Sequence, residues 1–135
     1  RTLSNLPKND LLMERRCFLL GTSAAFLAVA AGAFAAHLLK DRLTPDLFDI
    51  FLVGARYHMY HALALLATSW AAGRWSGPWA SRAAWSFTAG LFLFSGSLYL
   101  LSLTGQRWLG AITPLGGLCF LFGWFSLFLS AWRSR

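Results

Sequence analysis

The residues of this 135-residue chain best suited to chemistry are three histidines and the arginines, tyrosines and threonine near them. His37 stands alone, Arg56-Tyr57-His58-Met59-Tyr60-His61 forms a run, and Arg107 precedes Thr113 by six residues. Imidazole titrates near neutral pH and binds metals, so these histidines are the natural candidates for proton or metal chemistry. His58 and His61, three apart, share a helix face. Imidazoles from neighbouring helices are usual ligands for a metal or haem in a bundle, although no carboxylate or thiol lies near these in sequence. A second possibility is a pocket in which the arginines hold a lipid head group or a small anion. The third, which we favour, is structural: His37 and His61 hydrogen-bond between helices or to head groups, and Arg56 snorkels to the membrane edge. No nucleophile has a base beside it and no glycine loop could cradle phosphate, so no enzyme activity, catalytic residue, cofactor or metal ligand is expected. The candidate polar cluster is His37, Arg56, Tyr57, Tyr60, His61, Arg107 and Thr113.

The elements that position these residues follow from composition. Hydrophobic residues make up 57% and charged residues only 13% of the chain, too apolar for a soluble fold of this length. A net charge of +7 would suggest nucleic acid in a soluble protein, but here the charges lie between long apolar runs and read as membrane-flanking anchors. Apolar runs of about 20 residues, enough to cross about 30 Å of hydrocarbon as helix, predict four spans at approximately 17–39, 54–72, 83–103 and 109–132. Inside lipid every backbone amide must be satisfied within its own segment, so these runs are helices. The fold class is therefore an all-α membrane protein, a compact bundle of four transmembrane helices. No Asp or Glu falls in any span, which argues against a carboxylate proton relay.

Even-numbered spans put both termini on one side. Arg1, Lys8, Arg15, Arg16, Arg74, Arg82, Arg133 and Arg135 share that side, against Lys40, Arg42, Arg56 and Arg107 on the other. Both termini are thus expected in the cytoplasm. By the same scheme Trp75, Trp79, Trp85 and Trp132 form one aromatic belt, and Tyr57, Tyr60, Tyr99 and Trp108 the other. This places the candidate cluster at the non-cytoplasmic mouth of the bundle.

Small residues at helical spacing mark packing faces: Ala24, Ala28, Gly32 and Ala36 in span one, Ala83, Ser86, Gly90 and Ser97 in span three, and Gly116, Cys119, Gly123, Ser126 and Ser130 in span four. Ser95, Ser97, Tyr99 and Ser102 are expected to be packing donors rather than a transport path. Thr44-Pro45 signals a helix start. It opens a short amphipathic helix, with Leu47, Phe48, Phe51 and Leu52 apolar, on the membrane surface between spans one and two. Thr113-Pro114 either kinks span four or marks its true start after an interfacial turn at 108–112. Cys17 and Cys119 give no disulfide framework. Residues 1–12, polar and aperiodic, are expected to be a disordered extension to a single domain at 13–135. Arg15-Arg16-Cys17-Phe18-Leu19 imitates a twin-arginine export signal, but span one is long enough to cross the membrane, and two anchoring arginines explain the same residues.

Together, Gly32-Ala33-Phe34 with Ala36-His37, then Arg56-Tyr57 and Met59-Tyr60-His61-Ala62-Leu63, form the first half of a pattern. Ser95-Gly96-Ser97-Leu98-Tyr99, Thr104-Gly105 and the stretch from Arg107 to Gly117 complete it. The chain resembles the YgdD-like family of small bacterial inner-membrane proteins, to which eukaryotic transmembrane protein 256 is related. That resemblance implies a four-span membrane fold and no assigned reaction. His37, Arg56, Tyr57, Tyr60, His61, Arg107, Thr113 and Pro114 sit on its motif positions. His58 departs from it, where glutamine is usual, and so does Ala35 at a common glycine.

The expected function is that of a structural or accessory component of the bacterial inner membrane. The lipid bilayer and a membrane-protein complex or homo-oligomer are its expected partners, and nucleic acid is not. The alternative is a binding protein or carrier for a lipid or small anionic solute at the His/Arg cluster, with haem or metal binding a distant third.

Overall fold

The structure, a computed structural model, describes residues 8–134, and the described residues contain no strand. Four helices are long and apolar enough to cross a membrane: α1 (Lys8–Leu39), α2 (Pro45–Arg74), α3 (Trp79–Thr104) and α4, whose regular part is Thr113–Trp132. The last turn of α1, Ala35–Leu39, and the middle of α3, Leu91–Gly96, widen into π-helical turns.

The helix ends follow from local chemistry. Thr44 is extended, with φ −63° and ψ 152°, and Pro45 takes the first helical position, where its missing N–H and fixed φ carry no penalty. The Thr44 hydroxyl bonds the Asp46 carboxylate instead of a backbone amide. The helix so begun does not stop at the membrane surface. It runs unbroken to Arg74, so the amphipathic segment forms the first turns of α2. At the end of α3, Gly105 adopts φ +70° and its N–H bonds the Leu101 carbonyl at 2.8 Å, a left-handed cap that suits glycine. Gly105→Ala is expected to cost about 1 kcal/mol, with Gly105→Asn losing less; thermal melts in detergent check the order. Of the two alternatives at Thr113-Pro114, the second holds: a 3-10 turn at Arg107–Ala111 precedes a regular helix with proline in its first turn.

Residues 8–12 of the expected extension are helical and belong to α1; residues 1–7 lie outside the described residues. Asp10 in the first turn favours the start electrostatically. Asn9, Asp10 and Met13 also line a crevice with Ala72, Trp75 and Ser81 beyond the end of α2. One turn on, the Ser69 hydroxyl donates to the Glu14 carbonyl at 2.8 Å.

Helix α1 packs on α2, α2 on α3, and α3 on α4. The interface of α3 with α4 follows the anticipated small-residue faces. Ala83, Gly90 and Ser97 are buried against Gly116, Gly123, Ser126 and Ser130, while Ser86 and Cys119 are half-buried. Phe87 and Phe120 fill the space these leave. The face anticipated in α1 is only partly used: Ala28 is buried, Ala24 half-buried, Gly32 has open space above its Cα, and Ala36 is exposed. The buried line is Cys17, Gly21, Ala28, Ala35 and Leu39. The reason is rotational. Residues four apart drift around the helix by about 40° per step, so a stripe from Ala24 to Ala36 turns away, whereas Gly21, Ala28 and Ala35, seven apart, hold a left-handed seam. At the terminal end, Trp79 lies under the Arg82 and Arg133 guanidinium groups at 4.5 and 5.4 Å, joining the start of α3 to the end of α4.

Candidate functional site

The centre of the polar cluster is His61, on α2 and only 4% exposed. At 1.5 Å per residue it lies about 24 Å beyond Pro45 and about 20 Å before Arg74. It therefore sits near the middle of α2, a helix that reaches back through Arg56 and Phe51 to Pro45. Tyr57 packs on Phe94 with ring centroids 4.7 Å apart, and the Tyr99 hydroxyl pairs with His58 Nδ1 at 3.0 Å.

Both ring nitrogens of His61 are engaged. Nδ1 lies 2.7 Å from the Tyr57 carbonyl, one turn back on α2, and the Trp124 indole N–H of α4 reaches Nε2 at 3.2 Å. A carbonyl can only accept and an indole N–H can only donate, so the partners assign the neutral tautomer with its proton on Nδ1. The ring lies flat on Phe120, centroids 3.4 Å apart and planes 3° from parallel. His61 is thus a tie from α2 to α4, with no lone pair left for a metal.

The other members of the cluster are dispersed. Tyr57 and Tyr60 share with His61 the edge of an outward groove of about 580 Å³ that Pro114 and Gly117 continue on α4. Thr113 Oγ1 pairs with Ser97 Oγ at 2.7 Å, joining α4 to α3. Arg107 forms an ion pair with Asp46, joining the 3-10 turn to the start of α2. His37, in the π turn of α1, and Arg56 are exposed and outside the groove. His58 turns away from His61 into a cleft between α1 and α3. Among the described residues no three His, Cys, Asp or Glu side chains gather as a metal site would require.

Asp46 stands ahead of the apolar part of α2 and is exposed. The Thr44 hydroxyl first, and the Arg107 guanidinium second, hold its carboxyl down at about 2. A carboxyl depressed in the folded state adds stability that is present above its unfolded value near pH 4 and is lost as pH falls through about 2. Solvent and salt screen an exposed pair, so the effect on stability is small. We expect Thr44→Ala to raise the Asp46 value more than Arg107→Gln does, as followed by NMR titration of the carboxyl; the reverse order would make the ion pair the controlling contact.

Of the four anticipated packing donors, Ser95 bonds the Gly54 carbonyl of α2 at 2.8 Å, Ser97 joins Thr113, and Tyr99 joins His58. Ser102 instead bonds the Leu98 carbonyl of its own helix at 2.7 Å. The partners of His61 were not foreseen: in sequence Phe120 and Trp124 are two aromatics among the many of α4.

Set against known proteins, residues 31–117 match the family model described as "Protein of unknown function (DUF423)". The UPF0382 membrane protein YwdK of Bacillus subtilis is 44% identical over 114 residues, which cover 84% of this chain and 93% of that protein. A UPF0382 membrane protein of Staphylococcus epidermidis is 43% identical over 118 residues, covering 83% and 91% of the two chains. One from Haemophilus influenzae is 37% identical over 123 residues, covering 91% and 98%. No solved structure matches the chain. With a family model matched over most of its length and relatives covered almost end to end, four apolar helices and the motif positions from His37 to Pro114, the chain belongs to the DUF423 family of membrane proteins.

Proposed function

We propose that this protein is a structural or accessory component of the bacterial inner membrane, with both termini in the cytoplasm, that packs against other membrane proteins and catalyses no reaction. The observation that carries this reading is the use to which its polar side chains are put. His61 with Trp124, Ser95 with Gly54, Ser97 with Thr113 and Ser69 with Glu14 each join one helix to another. Among the described residues Ser126 Oγ is the one buried side-chain polar atom without a partner. The polar groups buried between the helices are thus largely engaged in holding the bundle.

The outward face of α2 supports the partner. Arg56, Tyr60, Leu63, Ala67 and Trp70 are exposed along it. Arg56 lies about 10 Å further along the helix than Asp49, past the start of the apolar stretch, where an unpaired charge is unfavourable. A neighbouring protein that presents a carboxylate or carbonyl at that depth lowers this cost. The orientation rests on the eight basic residues of the terminal side against four opposite.

A photo-cross-linking residue at Leu63, which is 53% exposed, tests the partner in native membranes. A discrete adduct with another polypeptide is expected; lipid adducts alone would sink the proposal. A green fluorescent protein fused after Arg135 should fluoresce if the termini are cytoplasmic, and a dark fusion of full length would reverse the orientation.

A further inference from the structure

Helices α1 and α3 do not close on each other. Between them run two cavities, of about 440 and 340 Å³, that share Leu20, Ser23 and Thr88 and so form one cleft with Leu65 of α2 in its floor. The cleft starts beside Arg16, Cys17 and Ala84 at the terminal end and finishes at His58 and Tyr99. From Ala84 to Tyr99 along α3 is about 22 Å, more than half of a hydrocarbon layer of about 30 Å. In a membrane such a cleft is open to hydrocarbon chains.

Three observations say what occupies it. The polar groups at the deep end are already paired, His58 with the Tyr99 hydroxyl and Ser95 with the Gly54 carbonyl, so the lining recognises hydrocarbon. The exposed Arg16 guanidinium lies at the mouth, at head-group level, where it meets an anion. Gly96, at the end of the π-helical stretch of α3, lines the cleft although nothing in the chain requires a glycine there. A Cβ at Gly96 would meet nothing closer than the Leu91 carbonyl at 3.9 Å, whereas one at Gly90 or Gly116 would collide with a neighbouring helix. The absence of a side chain keeps the wall of the cleft bare.

We infer that this cleft is a binding site for one anionic phospholipid of the leaflet at the terminal end, with an acyl chain laid between α1 and α3 and its phosphate on Arg16. The site is separate from the His61 cluster and stands whether or not the protein has a protein partner.

The test is native mass spectrometry of the purified full-length protein after equilibration with vesicles of equimolar phosphatidylglycerol and phosphatidylcholine. The parent should retain one lipid per chain, with phosphatidylglycerol favoured about fivefold. Gly96→Phe should reduce retained lipid about tenfold with an unchanged melting temperature. Ser23→Phe, at an exposed position on the α1 wall, should do the same and carries the test should Gly96→Phe not fold. Arg16→Gln should keep the lipid but lose the preference for phosphatidylglycerol. A parent that retains no lipid, a folded phenylalanine variant that retains as much as the parent, or an undiminished preference in Arg16→Gln would each overturn the inference. A polypeptide seated in place of the lipid would do so too.

Discussion

Gly116→Leu is expected to abolish the folded protein. A Cβ at Gly116 would stand 2.3 Å from the backbone nitrogen of Phe94 and 2.7 Å from its Cα. At Gly90 and Gly123 the obstacles are the rings of Phe120 and Phe87, at 2.4 and 2.6 Å. A ring can swing aside, but a backbone moves only if α3 and α4 separate. Separation would also break the bond from Ser97 to Thr113 and pull Trp124 from His61. The cost should therefore exceed the usual overpacking penalty of about 1–3 kcal/mol and approach the whole stability of a small domain, about 5–15 kcal/mol. In a membrane protein no hydrophobic effect between helices offsets it, because lipid is as apolar as the interface. Size-exclusion chromatography in mild detergent should show Gly116→Leu aggregated, with Gly116→Ala intermediate. A monodisperse Gly116→Leu that melts within a few degrees of the parent would refute the close approach of α3 and α4.

His61→Ala should carry the second-largest effect, a loss of about 3 kcal/mol. The substitution empties the space over Phe120 and deprives the Trp124 indole of its acceptor. His61→Phe separates the two contributions. It keeps the stack and loses the hydrogen bonds, so it should cost about 1 kcal/mol. A double-mutant cycle of His61→Phe with Trp124→Phe should give a coupling of about 0.6–1.7 kcal/mol, by thermal unfolding in detergent. If His61 served a ligand instead, both substitutions would leave the melting temperature nearly unchanged.

Why the sequence revealed the spans and not the partners at this site has a physical explanation. Hydrocarbon thickness and the need to satisfy every backbone amide leave one solution for a long apolar run, and the four spans are that solution. The faces of α3 and α4 were also legible, because small residues there repeat with a spacing that stays on one side of the helix. In α1 a four-residue repeat was followed where the seam keeps a seven-residue one. The polar run from Arg56 to His61 suggested the edge of a span, since polar groups are costly in lipid. In α2 that cost is offset by partners on other helices, Trp124 for His61 and Tyr99 for His58. Such partners depend on the interhelical register, and no local pattern announces it. The ion pair of Arg107 with Asp46 was hidden for the same reason: it joins the start of α2 to the 3-10 turn, 61 residues apart.

If the polar residues of the spans hold this bundle together and the bundle serves other membrane proteins, native mass spectrometry of the protein, released gently from its own membrane, should show a stoichiometric complex with one or more polypeptides. A chain that appears alone with a retained polar solute, released by His61→Phe while the fold persists, would contradict it.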